Sequence, residues 1–208
     1  MQWFTQWRRE RMLKRTSFDE ALWRSVLDRY PFTRALSLDE RARLREDVIL
    51  FLHEKTLVAA GGLVLRDEMR ICIAAQACML TLALDLDYYR GWVEVIVYPD
   101  EFVAEYEHVD EDGIVHQVEE PMTGESWLAG PVILSWADAQ LRGNEHGYNV
   151  VIHEFAHKLD MLNGDANGFP PLHAGMERGA WSRDFSAAYE DFRTRMERGE
   201  PAGIDPYA

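Results

Sequence analysis

Two histidines four positions apart in an apolar stretch share one face only on an α-helix, and residues 150–160, VVIHEFAHKLD, carry that arrangement. Asn149 predicts the N-cap, the helix runs to about Leu162, and NGDANGFP (163–170) predicts the loop that ends it. Ile152, Phe155, Ala156, Leu159 and Leu162 are expected to form the buried stripe that fixes this helix. His153 and His157 then aim both imidazoles at one ion, and neutral imidazole suits zinc. Glu154 stands beside His153, placed to accept a proton from water activated by the ion and to pass it to a leaving amine. The competing reading of the same letters is an ordinary helix with surface histidines.

Asp160 follows His157 by three residues, on much the same face. It reads as an acceptor that orients an imidazole, as a third ligand, or as a solvated carboxylate of the last turn. A longer zinc motif with a glycine and a third histidine is absent, because Asp160 and Asn163 occupy those positions. His53, His108, His116, His146 and His173 have no paired spacing and are expected at the surface or in caps.

Around this segment the chain changes period. Phe18, Ala21, Leu22, Val26 and Leu27 repeat helically from Ser17 to Tyr30 and stop before Pro31. Ser37 and Glu40 predict a capping box, after which Leu44, Val48, Phe51 and Leu52 mark a helix to about Lys55. Gly61-Gly62 breaks the chain, and a helix over Asp67 to Leu84 follows, with IAAQACML (73–80) buried on most sides. Period two takes over in VEVIVY (93–98), a strand that halts at Pro99. Phe102 to His108 and Ile114 to Glu119 flank DEDG (110–113) as an exposed hairpin, and Val132 to Trp136 is a further short strand. Pro131 to Trp136 is read either as an edge that pairs with extended peptide, with Gly130 admitting close approach, or as an internal strand. Trp181 to Met196 predicts a final amphipathic helix. The expected class is α+β: one unit over residues 1–208 with a small mixed sheet, a hairpin and a helical subregion over residues 1–60.

A hydrophobic content of 47% supports a packed core. With 22 basic against 36 acidic residues the formal charge is -14, which argues against nucleic acid or an anionic membrane as the main partner. Cys72 and Cys78 lack metal or redox spacing and read as small buried hydrophobes in a reducing compartment. Without an apolar span or signal core, the expected location is the cytoplasm. The N-terminal segment, with Trp3, Phe4 and Trp7 among Arg8, Arg9, Arg11, Lys14 and Arg15, reads as a basic amphipathic helix for a surface or as one docked on its own domain.

At DEMRICIAAQACML (67–80), VIVYPDEF (95–102), GESWLAGPVILSW (124–136), NVVIHEFAHKLD (149–160) and IDPYA (204–208), the chain resembles the Mlc titration factor A family. That family comprises bacterial zinc peptidases with a zincin-type fold, similar to the active-site domain of anthrax lethal factor. The resemblance implies a zinc ion held by His153 and His157, Glu154 as catalytic base, and Tyr207 near the metal, where a phenol donor stabilises a developing oxyanion. It also implies an aminopeptidase-like activity on peptides and binding to the glucose-responsive repressor Mlc. The alternative is a regulatory module that sequesters a repressor without catalysis. In the family the third ligand is a glutamate shortly after IDPYA, so the chain is expected to lack a C-terminal segment carrying it, since Ala208 is its last residue.

Overall fold

The computed structural model describes residues 2–109, 115–126, 130–141 and 147–205. Three helices lead the chain: α1 (Gln2–Leu13), α2 (Glu20–Arg29) and α3 (Leu38–Glu54). The Asp19 carboxylate accepts from the N–H groups of Ala21 and Leu22 at 2.9 Å each and starts α2. Ser37 and Glu40 form the expected reciprocal capping box at α3, an arrangement worth about 1 kcal/mol. The basic helix α1 docks on its own protein. Arg9 reaches the carboxylates of Glu54, Asp85 and Asp87 at 3.2, 3.3 and 2.8 Å, while Met12 and Leu13 pack against the core.

Lys55 ends α3, and the chain enters β1 (Thr56–Ala59) at once, a strand too short and exposed to announce itself by periodicity. Helix α4 (Asp67–Thr81) is buried along most of its length, as its composition predicts, and ends three residues earlier than expected. Cys72 and Cys78 are both free and buried on it. Strand β2 (Glu94–Tyr98) halts before Pro99, and β3 (Phe102–Val109) pairs antiparallel with β4 (Val115–Met122), placing His108 opposite His116 in the register. The DEDG turn of that hairpin lies outside the described residues.

The main sheet has the order β1-β2-β6-β5, where β5 is Gly124–Ser126 and β6 is Val132–Ser135. Strands β1, β2 and β6 run parallel, and β5 is antiparallel to β6. Val95, Val97, Val132 and Leu134 are fully buried in the core on one face of this sheet. Of the two readings of Pro131 to Trp136, this overturns the edge and bears out the internal strand with Val132 and Leu134 in the core. Strand β6 has its hydrogen-bonding groups paired on both sides, and the edges of the sheet are β1 and the three-residue β5.

After a single-turn α5 (Trp136–Ala139) come α6 (Val150–Asp160) and α7 (Arg178–Glu197). Helix α7 has no buried residue, and Phe185, Tyr189 and Met196 on it are exposed. Among the described residues no helix is long and apolar enough to cross a membrane.

Candidate metal centre

Helix α6 starts where the sequence places it, with Asn149 Oδ1 accepting the Ile152 N–H at 2.9 Å, and it ends at Asp160 rather than Leu162. The buried face is Val150, Val151, Glu154, Phe155 and Lys158. The expected stripe is therefore rotated. Only Phe155 of that set is buried, whereas Ile152 and Ala156 line a cavity with the histidines and Leu162 is exposed. Aromatic packing fixes this rotation: the Phe155 ring lies 5.3 Å from Tyr89 and 5.7 Å from both Phe51 and Trp92, centroid to centroid. Burying that ring contributes on the order of 2–3 kcal/mol.

With Phe155 turned inward, His153 and His157 face a cavity of about 670 Å³. Their Nε2 atoms stand 3.1 Å apart, with the rings close to perpendicular at 86°. Two nitrogens each about 2.0–2.1 Å from one tetrahedral ion lie roughly 3.3 Å apart, so the pair fits two ligand positions. Burial lowers the His153 pKa and the neighbouring His157 lowers it further, which favours the neutral, ligating form. Among the described residues no group of three His, Cys, Asp or Glu side chains converges on one point, so the pair by itself offers two positions to an ion.

Glu154 lies one residue, about 100°, around the helix from His153, 4% exposed, against β5. A Cβ on Gly124 would come within 2.5 Å of Glu154 Oε1 and 2.8 Å of Val150, so only glycine lets α6 pack this close to the strand. Burial pushes the Glu154 carboxyl up to about 7, with Glu125 adding to the effect and a hydrogen bond from Ser126 opposing it. Positive charge at the histidine pair would draw that value down again.

Asp160 lines the same cavity. Its Oδ2 accepts the Gly168 N–H at 2.7 Å and ties down the loop after α6, while its Oδ1 is buried without a hydrogen-bond partner. It is thus neither solvated nor grouped with both histidines as a third ligand. His53 is exposed, with Nε2 2.9 Å from the Thr16 hydroxyl, and His173 is exposed as expected. His146 and Tyr207 lie outside the described residues.

Two residues near the centre were passed over in the sequence. Gly124 had no signal beyond standing before a polar pair, and Lys158 carried none but its spacing. Lys158 is 3% exposed, donates to the Gly130 carbonyl at 2.8 Å and lies 5.0 Å from the centre of the Trp92 ring. Its spacing of four from Glu154 was the available clue, because it repeats the histidine spacing one residue on.

Known proteins are similar to this chain over most of its length. A Synechocystis protein described as uncharacterized is 37% identical over 189 residues, covering 89% of this chain and 69% of its own length. Mlc titration factor A of Cronobacter sakazakii is 38% identical over 180 residues, covering 86% and 68%, and that of Escherichia fergusonii is 35% identical over 192 residues, covering 91% and 72%. The family model described as glucose-regulated metallo-peptidase M90 matches residues 4–208, and the chain belongs to that family.

Proposed function

We propose that this protein is a zinc peptidase of zincin-like fold, in which His153 and His157 hold the ion and Glu154 manages the protons. The observation that carries the reading is the convergence of the two Nε2 atoms, 3.1 Å apart on a cavity wall, beside a buried carboxyl on the same helix. Zinc bound there supplies Lewis acidity that lowers the pKa of water at the site. The Glu154 carboxylate takes the proton from the attacking water and returns it to the amine as the peptide C–N bond breaks. Gly124 and Ser126 hold that carboxylate in place from β5. Strand β5, unpaired on its outer side among the described residues, is where an extended peptide adds its main chain. Tyr207 is assigned the phenol donor to the carbonyl oxygen, and an aminopeptidase-like preference follows the family likeness.

The expected result for Glu154→Gln is zinc retained in full by elemental analysis, with hydrolysis of aminoacyl anilides and peptides falling about 10²–10⁴-fold. Undiminished turnover in that variant would exclude the assigned base.

A regulatory role accompanies this reading: the relatives named Mlc titration factor A support binding of an Mlc-like repressor, and a cytoplasmic location goes with that partner. If sequestration alone were the function, repressor pull-down would survive both Glu154→Gln and His153→Ala while no substrate was cleaved.

A further inference from the structure

Gln76 is 0% exposed in the middle of α4, an amide sunk in an otherwise apolar run. A buried amide left unpaired is destabilising, so its partners show what holds it there. Its Nε2 lies 3.2 Å from each of three acceptors: the Tyr30 hydroxyl at the end of α2, the Cys72 carbonyl one turn back, and the Ala139 carbonyl of α5. The Tyr30 hydroxyl donates in turn to Ala139 at 3.3 Å. On its other side, Gln76 Oε1 accepts from Asn149 Nδ2 at 2.6 Å.

Donor and acceptor roles leave one orientation for this chain of amides. The Ile152 N–H requires the oxygen of Asn149, which turns the Asn149 nitrogen to Gln76; that requires the oxygen of Gln76, which turns the Gln76 nitrogen to the two carbonyls. Asn149 is also the residue from which the metal helix departs, and its carbonyl accepts the backbone N–H of His153 itself at 2.9 Å. The peptide from which the first histidine hangs is thus fixed by a side chain 73 positions earlier.

We infer that Gln76 is a positioning residue for the metal centre: through Asn149 it sets the direction of the first turn of α6, and so the convergence of His153 on His157. This rests on the reading of the histidine pair as ligands. A capping residue needs only an oxygen at position 149, whereas the positioning role needs the amide donor as well.

Asn149→Ser separates the two requirements, because it keeps a capping oxygen and removes the link to Gln76. The test measures zinc affinity by competition with a chromophoric chelator, the melting temperature of the metal-free chain, and the histidine ring signals of the metal-free chain by ¹H–¹⁵N NMR. Asn149→Ser is expected to melt below the wild type, because Gln76 Oε1 loses its donor, but to remain folded and bind zinc about 10-fold more weakly, with the His153 and His157 ring signals displaced. Gln76→Met is expected to weaken zinc by a similar factor, and the double variant by no more than either single one. Wild-type zinc affinity in Asn149→Ser, or a double variant whose loss is the product of the two singles, overturns the inference. If the wild-type chain takes up no zinc, the ligand reading itself falls. Unchanged ring signals in metal-free Asn149→Ser would then overturn the positioning role separately.

Discussion

Two pairs of side chains on α6, each spaced by one turn, are offset from one another by a single residue and meet opposite surroundings. His153 and His157 face the cavity, while Glu154 and Lys158 are 4% and 3% exposed against the sheet and its aromatic cluster. A one-residue step on a helix is a turn of about 100°, enough to take a side chain from an open wall to the core. With the histidines on the cavity wall, that step carries the acid and the lysine inward. Buried charge is tolerated only with partners. The partners here are Ser126 for Glu154, and for Lys158 the Gly130 carbonyl together with the Trp92 ring.

That contrast can be broken first on its open side. Replacing both His153 and His157 by Ala is expected to abolish stoichiometric zinc, lowering affinity by well over about 100-fold, while the metal-free chain melts nearly unchanged because neither ring is part of the core cluster. Zinc retained on elemental analysis would show that the pair does not converge on the ion. On the closed side, Phe155→Ala removes the ring that sets the rotation of α6 and is expected to cost about 3–5 kcal/mol in urea unfolding. A cost under about 1 kcal/mol would mean that something other than this ring fixes the helix.

Gly124→Ala sharpens the comparison at the contact between helix and edge strand. The added methyl meets Glu154 and Val150, so α6 or β5 must move, at about 1–3 kcal/mol in stability and with a loss of turnover larger than that of zinc affinity. Stability and turnover both equal to wild type would contradict the close approach.

The smallest effect lies in pH. Lys55, 6% exposed, donates to the Tyr89 and Trp92 carbonyls, and burial lowers its pKa to about 8 from 10.5. Between those values the unfolded chain binds more protons than the folded one, so this group makes stability rise with pH over about 8 to 10.5. Replacing Lys55 by Met should flatten that rise by on the order of 1 kcal/mol, measured as the difference in urea midpoints between pH 8 and 10. Identical slopes for the two proteins would remove Lys55 as the source.

Local signals carried far in this chain. Caps at Ser37 and Asn149, the stop at Pro99 and the hairpin strands are all properties of a few neighbouring residues, and each stands close to where its letters put it. The misses share a different cause. Strands β1 and β5 have four and three residues, too few for a period, and exist because β2 and β6 offer them a pairing edge. The stripe on α6 was rotated because hydrophobicity alone ranks Ile152 and Ala156 above Glu154 and Lys158, whereas burial of the charged pair depends on partners from distant segments.

By itself the sequence determined that residues 150–160 form a helix with two imidazoles on one face and an acid beside them, since helical spacing is a property of the backbone. The tertiary structure alone decided which side of that helix faces the cavity, which strands are the edges, and that Gln76 reaches its cap. Those outcomes depend on pairing and packing between residues far apart in the chain, and no local pattern of side chains encodes which distant partner will arrive.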